Sequence, residues 1–152
     1  MTQFYDILDT IKNELRASPF INTVTFGDIG EVDLDKTSMF PLSHIIMENV
    51  QYKGNILIFN VKILFTDVVD YNNEESEFDR FYGNDNLQDV FNTQLQAANT
   101  LITKLKRGDL FSNRYQLDNE PTLEPFKERF ANELAGWSTD ISISMPNNTS
   151  IC

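Results

Sequence analysis

Hydrophobic and polar positions alternate most regularly between Phe40 and Asp70, in FPLSHIIMENVQYKGNILIFNVKILFTDVVD. The stretch predicts two long β-strands joined by a tight turn at Lys53-Gly54-Asn55. In the second strand Leu57, Phe59, Val61, Ile63 and Phe65 share one face, and Ile56, Ile58, Asn60, Lys62, Leu64 and Thr66 share the other. A period of two carried by β-branched and aromatic residues marks a strand with two unlike faces. Gly54-Asn55 accepts the positive φ that a hairpin turn requires. The apolar face needs a helix or a second sheet to cover it. The mixed face is the candidate to meet a partner subunit.

Elsewhere the apolar spacing changes to that of a helix. Phe4, Ile7, Leu8, Ile11 and Leu15 form one stripe, capped by Thr2 and running to about Ala17, where Ser18-Pro19 stops it. Leu87, Val90, Phe91, Leu95, Ala98, Leu101, Ile102 and Leu105 form a second stripe. Asn84 or Asp85 caps this helix, Gly108 ends it, and Lys104, Lys106 and Arg107 complement the dipole in its last turn. Thr23–Phe26 reads as a short strand, and 112–117 as a candidate for another. Between Thr122 and Met145, Phe126, Phe130 and Leu134 recur at helical spacing. Pro125 and the alternation from Trp137 to Met145 favour two strands instead, bending near Asn132 to Leu134. The expected fold is one α+β domain over residues 1–146 with a polar tail at 147–152. Its order is α-β-β-β-α-β-β: a mainly antiparallel sheet with both helices on one face, burying Leu57, Phe59, Val61, Leu95 and Leu101.

Charge narrows the function classes. With 12 basic against 23 acidic side chains the formal net charge is −11, which argues against gripping nucleic-acid phosphates or an anionic membrane. It suits solubility, a basic partner, or a surface to which DNA should not adhere. The single cysteine, Cys152, allows no intrachain disulfide and points to a reducing compartment. The amino-terminal segment lacks the basic and apolar regions of a signal peptide, and no apolar run reaches bilayer length, so a cytosolic-type soluble chain is expected.

No residue grouping predicts catalysis. His44 follows Ser43, yet spacing supplies no third member of a triad, and a strand histidine is ordinarily packing or surface. Asp28, Glu31, Asp33 and Asp35 lack the positional pattern of a cation loop, and Gly27 and Gly30 do not extend to a nucleotide-binding fingerprint. No catalytic, cofactor-binding or metal residue is assigned, and no enzymatic activity is expected. The segment Asp67–Asp89 holds eight acids against one base, Arg80, and reads as a solvated loop. Its embedded Phe78, Phe81 and Tyr82 are what a solvated loop does not need. They are candidate subunit-interface residues, as are Ile56, Ile58 and Lys62 on the mixed strand face, and the loop is expected to be ordered by a neighbouring subunit.

Two stretches carry a resemblance. Phe40-Pro41-Leu42 enters a hairpin that closes with Phe65-Thr66-Asp67, and Glu128-Arg129-Phe130-Ala131-Asn132-Glu133-Leu134-Ala135-Gly136-Trp137 runs into Asp140-Ile141-Ser142-Ile143. These, with the order helix, central hairpin, helix, terminal hairpin, resemble the tail-terminator and tail-completion (neck ring) proteins of tailed bacteriophages. They are similar to small neck proteins from crAss-like and other phages of Bacteroidetes hosts. The resemblance implies a structural subunit of a six- or twelve-fold homo-oligomeric ring in the virion neck or tail, made in the bacterial cytoplasm. Its partners would be portal, neck and tail proteins, with DNA only passing through the lumen and no membrane contact. The competing class is an acidic, non-enzymatic adaptor domain with a basic protein partner.

Overall fold

Covering the apolar face of the central hairpin decides the architecture. A computed structural model describes residues 3–28, 39–69, 87–107, 115–129 and 133–147. Helix α1 spans Gln3–Arg16, and three strands follow: β1 Thr23–Phe26, β2 Leu42–Lys53 and β3 Ile56–Val68. Helix α2 spans Leu87–Arg107, and β4 Gln116–Leu117, β5 Leu123–Arg129 and β6 Glu133–Pro146 complete the order. The protein is α+β. The described residues thus carry one more strand after α2 than the expected order, the two-residue β4.

The six strands form one sheet, ordered β1-β2-β3-β6-β4, with β5 also on β6. Only β1 and β2 run parallel; every other pair is antiparallel. Lys53 pairs with Ile56 across a two-residue turn, and Gly54 takes a φ of 61° that its missing Cβ makes easy. Register then lines Leu57, Phe59 and Val61 up with Met145, Ile143 and Ile141 on one face. Ile7, Ile11 and Leu15 of α1 and Ala97, Ala98, Leu101 and Leu105 of α2 pack into the same core with those sheet residues. Both helices therefore lie on one face. They are joined across their outer sides by Lys104 Nζ, which donates to Glu14 Oε2 at 2.5 Å. Each large apolar side chain fully buried here contributes about 1.5–3 kcal/mol.

Leu95 departs from expectation: it is 37% exposed, not buried. The buried positions of α2 are Val90, Gln94, Ala97, Ala98, Leu101 and Leu105. At 3.6 residues per turn Leu95 falls roughly 110° from the middle of that arc. Gln94 takes the inward place instead, and its Nε2 donates to the Phe20 carbonyl at 3.3 Å. Leu95→Lys should accordingly change stability by less than about 0.5 kcal/mol in urea denaturation, while Leu101→Ala costs about 2–5 kcal/mol. Equal losses at the two positions would contradict this helix orientation.

Several boundaries also shift. β6 is already paired at Glu133 and Leu134, so no bend falls at Leu134, and Pro146 is its last residue. In the ambiguous stretch Phe126 and Leu134 both lie in strands, β5 and β6, with Phe126 paired to Gly136, while Phe130 lies outside the described residues. Asp67 and Val68 belong to β3 and Asp89 to α2, and residues 70–86 of the acidic segment lie outside the described residues. The capping candidates Thr2, Asn84, Asp85 and Gly108 lie outside the described residues.

Candidate functional site

The sheet face away from the helices carries the candidate contact residues Ile56, Ile58 and Lys62, and its two ends differ. Rows of side chains cross it: Leu42-Thr66-Gly136, His44-Leu64-Ser138, Ile46-Lys62-Asp140, Asn49-Asn60-Ser142 and Gln51-Ile58-Ser144. At the first end Met39 and Phe40 pack with Leu42, Val68 and Leu134 and close the face. Toward the hairpin tip it becomes a polar ladder. Asn60 Nδ2 donates to Asn49 Oδ1 at 2.6 Å, and Ser142 Oγ donates to Asn60 Oδ1 at 2.5 Å. Lys62 Nζ lies 3.8 Å from Glu48 and 3.9 Å from Asp140. Period-two polar residues at Ser138, Asp140, Ser142 and Ser144 were the sequence signal for this ladder, missed beside the more conspicuous apolar alternation.

Two successive residues, Asp118 and Asn119, repair the outer edge of β6. That edge is shared by β5, opposite Glu133–Thr139, and β4, opposite Ile143 and Ser144. In the gap the Asp118 N–H donates to the Ser142 carbonyl at 2.7 Å. The Asn119 side chain accepts from the Ser142 N–H and donates to the Asp140 carbonyl, both at 3.0 Å. A side-chain amide thus stands in for a strand backbone and leaves those groups paired.

The candidate contact residues divide. Ile58, only 6% exposed between Gln51 and Ser144 in the middle of the sheet, has too little free surface to be a contact. Ile56 is exposed at the tip, beside a hollow of about 290 Å³ lined by Gln116, Ser144, Met145 and Pro146. Lys62 is accessible, but two carboxylates flank its charge. Phe78, Phe81 and Tyr82 lie outside the described residues, as do Glu31, Asp33 and Asp35. At the loop's origin burial pushes the Asp67 carboxyl above its usual range, partly offset by the Val68 N–H that its Oδ1 accepts at 2.7 Å.

His44 is structural. It is fully buried, with Nε2 2.8 Å from the Gly27 carbonyl and Nδ1 2.7 Å from Thr25 Oγ1. A carbonyl can only accept, so Nε2 carries the proton and the Thr25 hydroxyl donates to Nδ1. Burial lowers its pKa, against the opposing pull of the Gly27 carbonyl and Asp28, so the ring is neutral at pH 7. Ser43 alternates to the helix side of the sheet, where its Oγ is buried without a partner. Ser43 and His44 therefore form no dyad. Among the described residues no group of His, Cys, Asp and Glu is arranged to hold a metal, and no helix is long and apolar enough to cross a membrane.

Compared with protein-family models and with curated proteins, the chain matches none.

Proposed function

We propose that this chain is a structural virion subunit, a tail terminator or head–tail connector that assembles as a ring around the DNA channel of a tailed phage. The observation that carries the reading is where the resembling stretches fall. Residues 40–67 are the β2–β3 hairpin and its entry, and residues 128–143 run from the end of β5 through most of β6. The likeness thus sits on the strands that build the middle of the sheet, not on a peripheral loop. A net charge of −11 supports it, because an acidic lumen repels phosphate and lets DNA slide. Ring closure needs two different complementary surfaces on each subunit. The Phe78–Tyr82 segment and the accessible part of the mixed face, Ile56 and Lys62, are the candidates.

Imaging of purified particles tests the reading. The protein should appear as a ring on the channel axis, and particles lacking it should hold packaged heads with missing or unstable tails. Duplex DNA should bind more weakly than about 10⁻⁴ M at physiological salt, as measured by fluorescence anisotropy. Recovery only from infected-cell cytosol, with none in virions, would overturn the ring and leave an adaptor for a basic partner.

A further inference from the structure

From the free edge of β2 we infer that two copies of this chain pair edge to edge, antiparallel, with Gln51 at the two-fold axis. β1 covers β2 only from Leu42 to Ile45. Beyond that point no described strand lies on that side, and Glu48 through Lys53 are all exposed. Hairpin geometry dictates which backbone groups face outward. Lys53 and Ile56 close a two-residue loop and so exchange both hydrogen bonds, as do alternate pairs such as Gln51 and Ile58. The intervening Val50 and Tyr52 therefore direct their N–H and C=O away from β3.

An antiparallel partner can bond only to such outward residues. Setting Gln51 opposite its own copy puts Val50 opposite Tyr52 of the second copy, and Tyr52 opposite its Val50. Both residues stand on the helix side of the sheet, 40% and 75% exposed. Each contact then becomes an aromatic against a β-branched side chain, a favourable cross-strand pair. The strip is complementary to itself, which is what selects a second copy over an unrelated partner.

Charge points the same way. In a chain of net charge −11, the segment from Glu48 to Lys53 holds one acid and one base, and Glu48 already lies near Lys62. Two acidic molecules approach here with least repulsion. The sheet's other margin does not offer an equivalent. β5, LEPFKER, carries Pro125 and several charges, the usual guards of an edge strand, and β4 is two residues long. The contact closes on itself, so it is distinct from the head-to-tail contacts of a ring and holds whether or not the ring reading does.

Sedimentation of the full chain over about 1–100 µM tests this. The wild type should dimerise. Val50→Glu and Tyr52→Lys should each raise the dimer dissociation constant at least about tenfold with unchanged far-ultraviolet circular dichroism, since both side chains are exposed. Mixing the two variants should restore association: the new carboxylate then faces the new ammonium, while the second Val–Tyr pair is kept. A monomeric wild type, variants that dimerise as the wild type does, or a mixture no tighter than either variant alone overturns the pairing.

Discussion

Gly136→Ala is expected to cost about 3 kcal/mol or more, enough to leave much of the protein unfolded or insoluble. A Cβ added at Gly136 would meet the Phe65 carbonyl oxygen at 1.7 Å, the Phe65 carbonyl carbon at 2.8 Å and the Thr66 Cα at 2.9 Å. All three are backbone atoms, so no side chain can swing aside. The backbone that would have to yield belongs to β3, which is held by β2 on one side and β6 on the other. β6 cannot retreat either, because β5 pairs with it at this very position through Phe126. Urea denaturation with soluble expression as a second readout measures the effect. A variant within about 1 kcal/mol of wild type would mean that these strands slide more freely than a sheet bonded on both edges should. Gly54→Asn supplies the contrast. Nothing lies within 4 Å of a Cβ there, and asparagine tolerates the positive φ, so little loss is expected.

His44→Phe is expected to cost about 2–3 kcal/mol at neutral pH. The ring fits a similar volume, but the Gly27 carbonyl loses its donor and the Thr25 hydroxyl its acceptor, in a place where water replaces neither easily. The cost should also shrink on acidification. Burial lowers the folded-state pKa of His44 below its ordinary 6.5, so below that pH the unfolded chain takes up the proton more readily than the folded one. Stability from this residue is complete above 6.5 and is lost as pH falls through the folded-state pKa. Asp67 works in the opposite sense. Its raised pKa makes the folded state bind the proton more strongly, so its contribution falls as pH rises above 3.8. Subtracting variant from wild type cancels Asp67 and isolates His44. A difference that stays constant between about pH 7.5 and pH 5 would show that the imidazole is not held neutral by the fold.

Local patterns were legible in the sequence, and pairings between distant segments were not. The alternation from Leu57 to Phe65 identified the central strand and its covered face, because each buried position lies two residues from the last. The turn at Gly54 was equally plain. That β1 would run parallel to β2 was not, since Thr23 meets Leu42 through a connection with no periodic signal of its own. Hydrophobicity alone puts Leu95 in the stripe, yet it is 37% exposed. The inward place belongs to Gln94, whose amide finds a carbonyl from a different segment. Ile58 differs for a related reason: alternation assigns a face but not how deeply each position on it is buried, and Ile58 is 6% exposed. The candidate surface was half legible. Lys62 and Ile56 are accessible as expected, whereas the Asn49–Asn60–Ser142 ladder joins three strands and has meaning only once register is known.

The shared strand β6 has a consequence for the order of folding. The β2–β3 and β5–β6 hairpins each close through short connections and can form early. The ladder between β3 and β6 joins residues as far apart as Ile56 and Pro146, so its loop-closure entropy is met only when β6 arrives. During synthesis the amino-terminal half must wait with the whole inner edge of β3 unpaired beside Leu57, Phe59 and Val61. The exposed intermediate is a sticky one, and the step that ends the hazard is the docking of residues 133–146, which leave the ribosome well after β3.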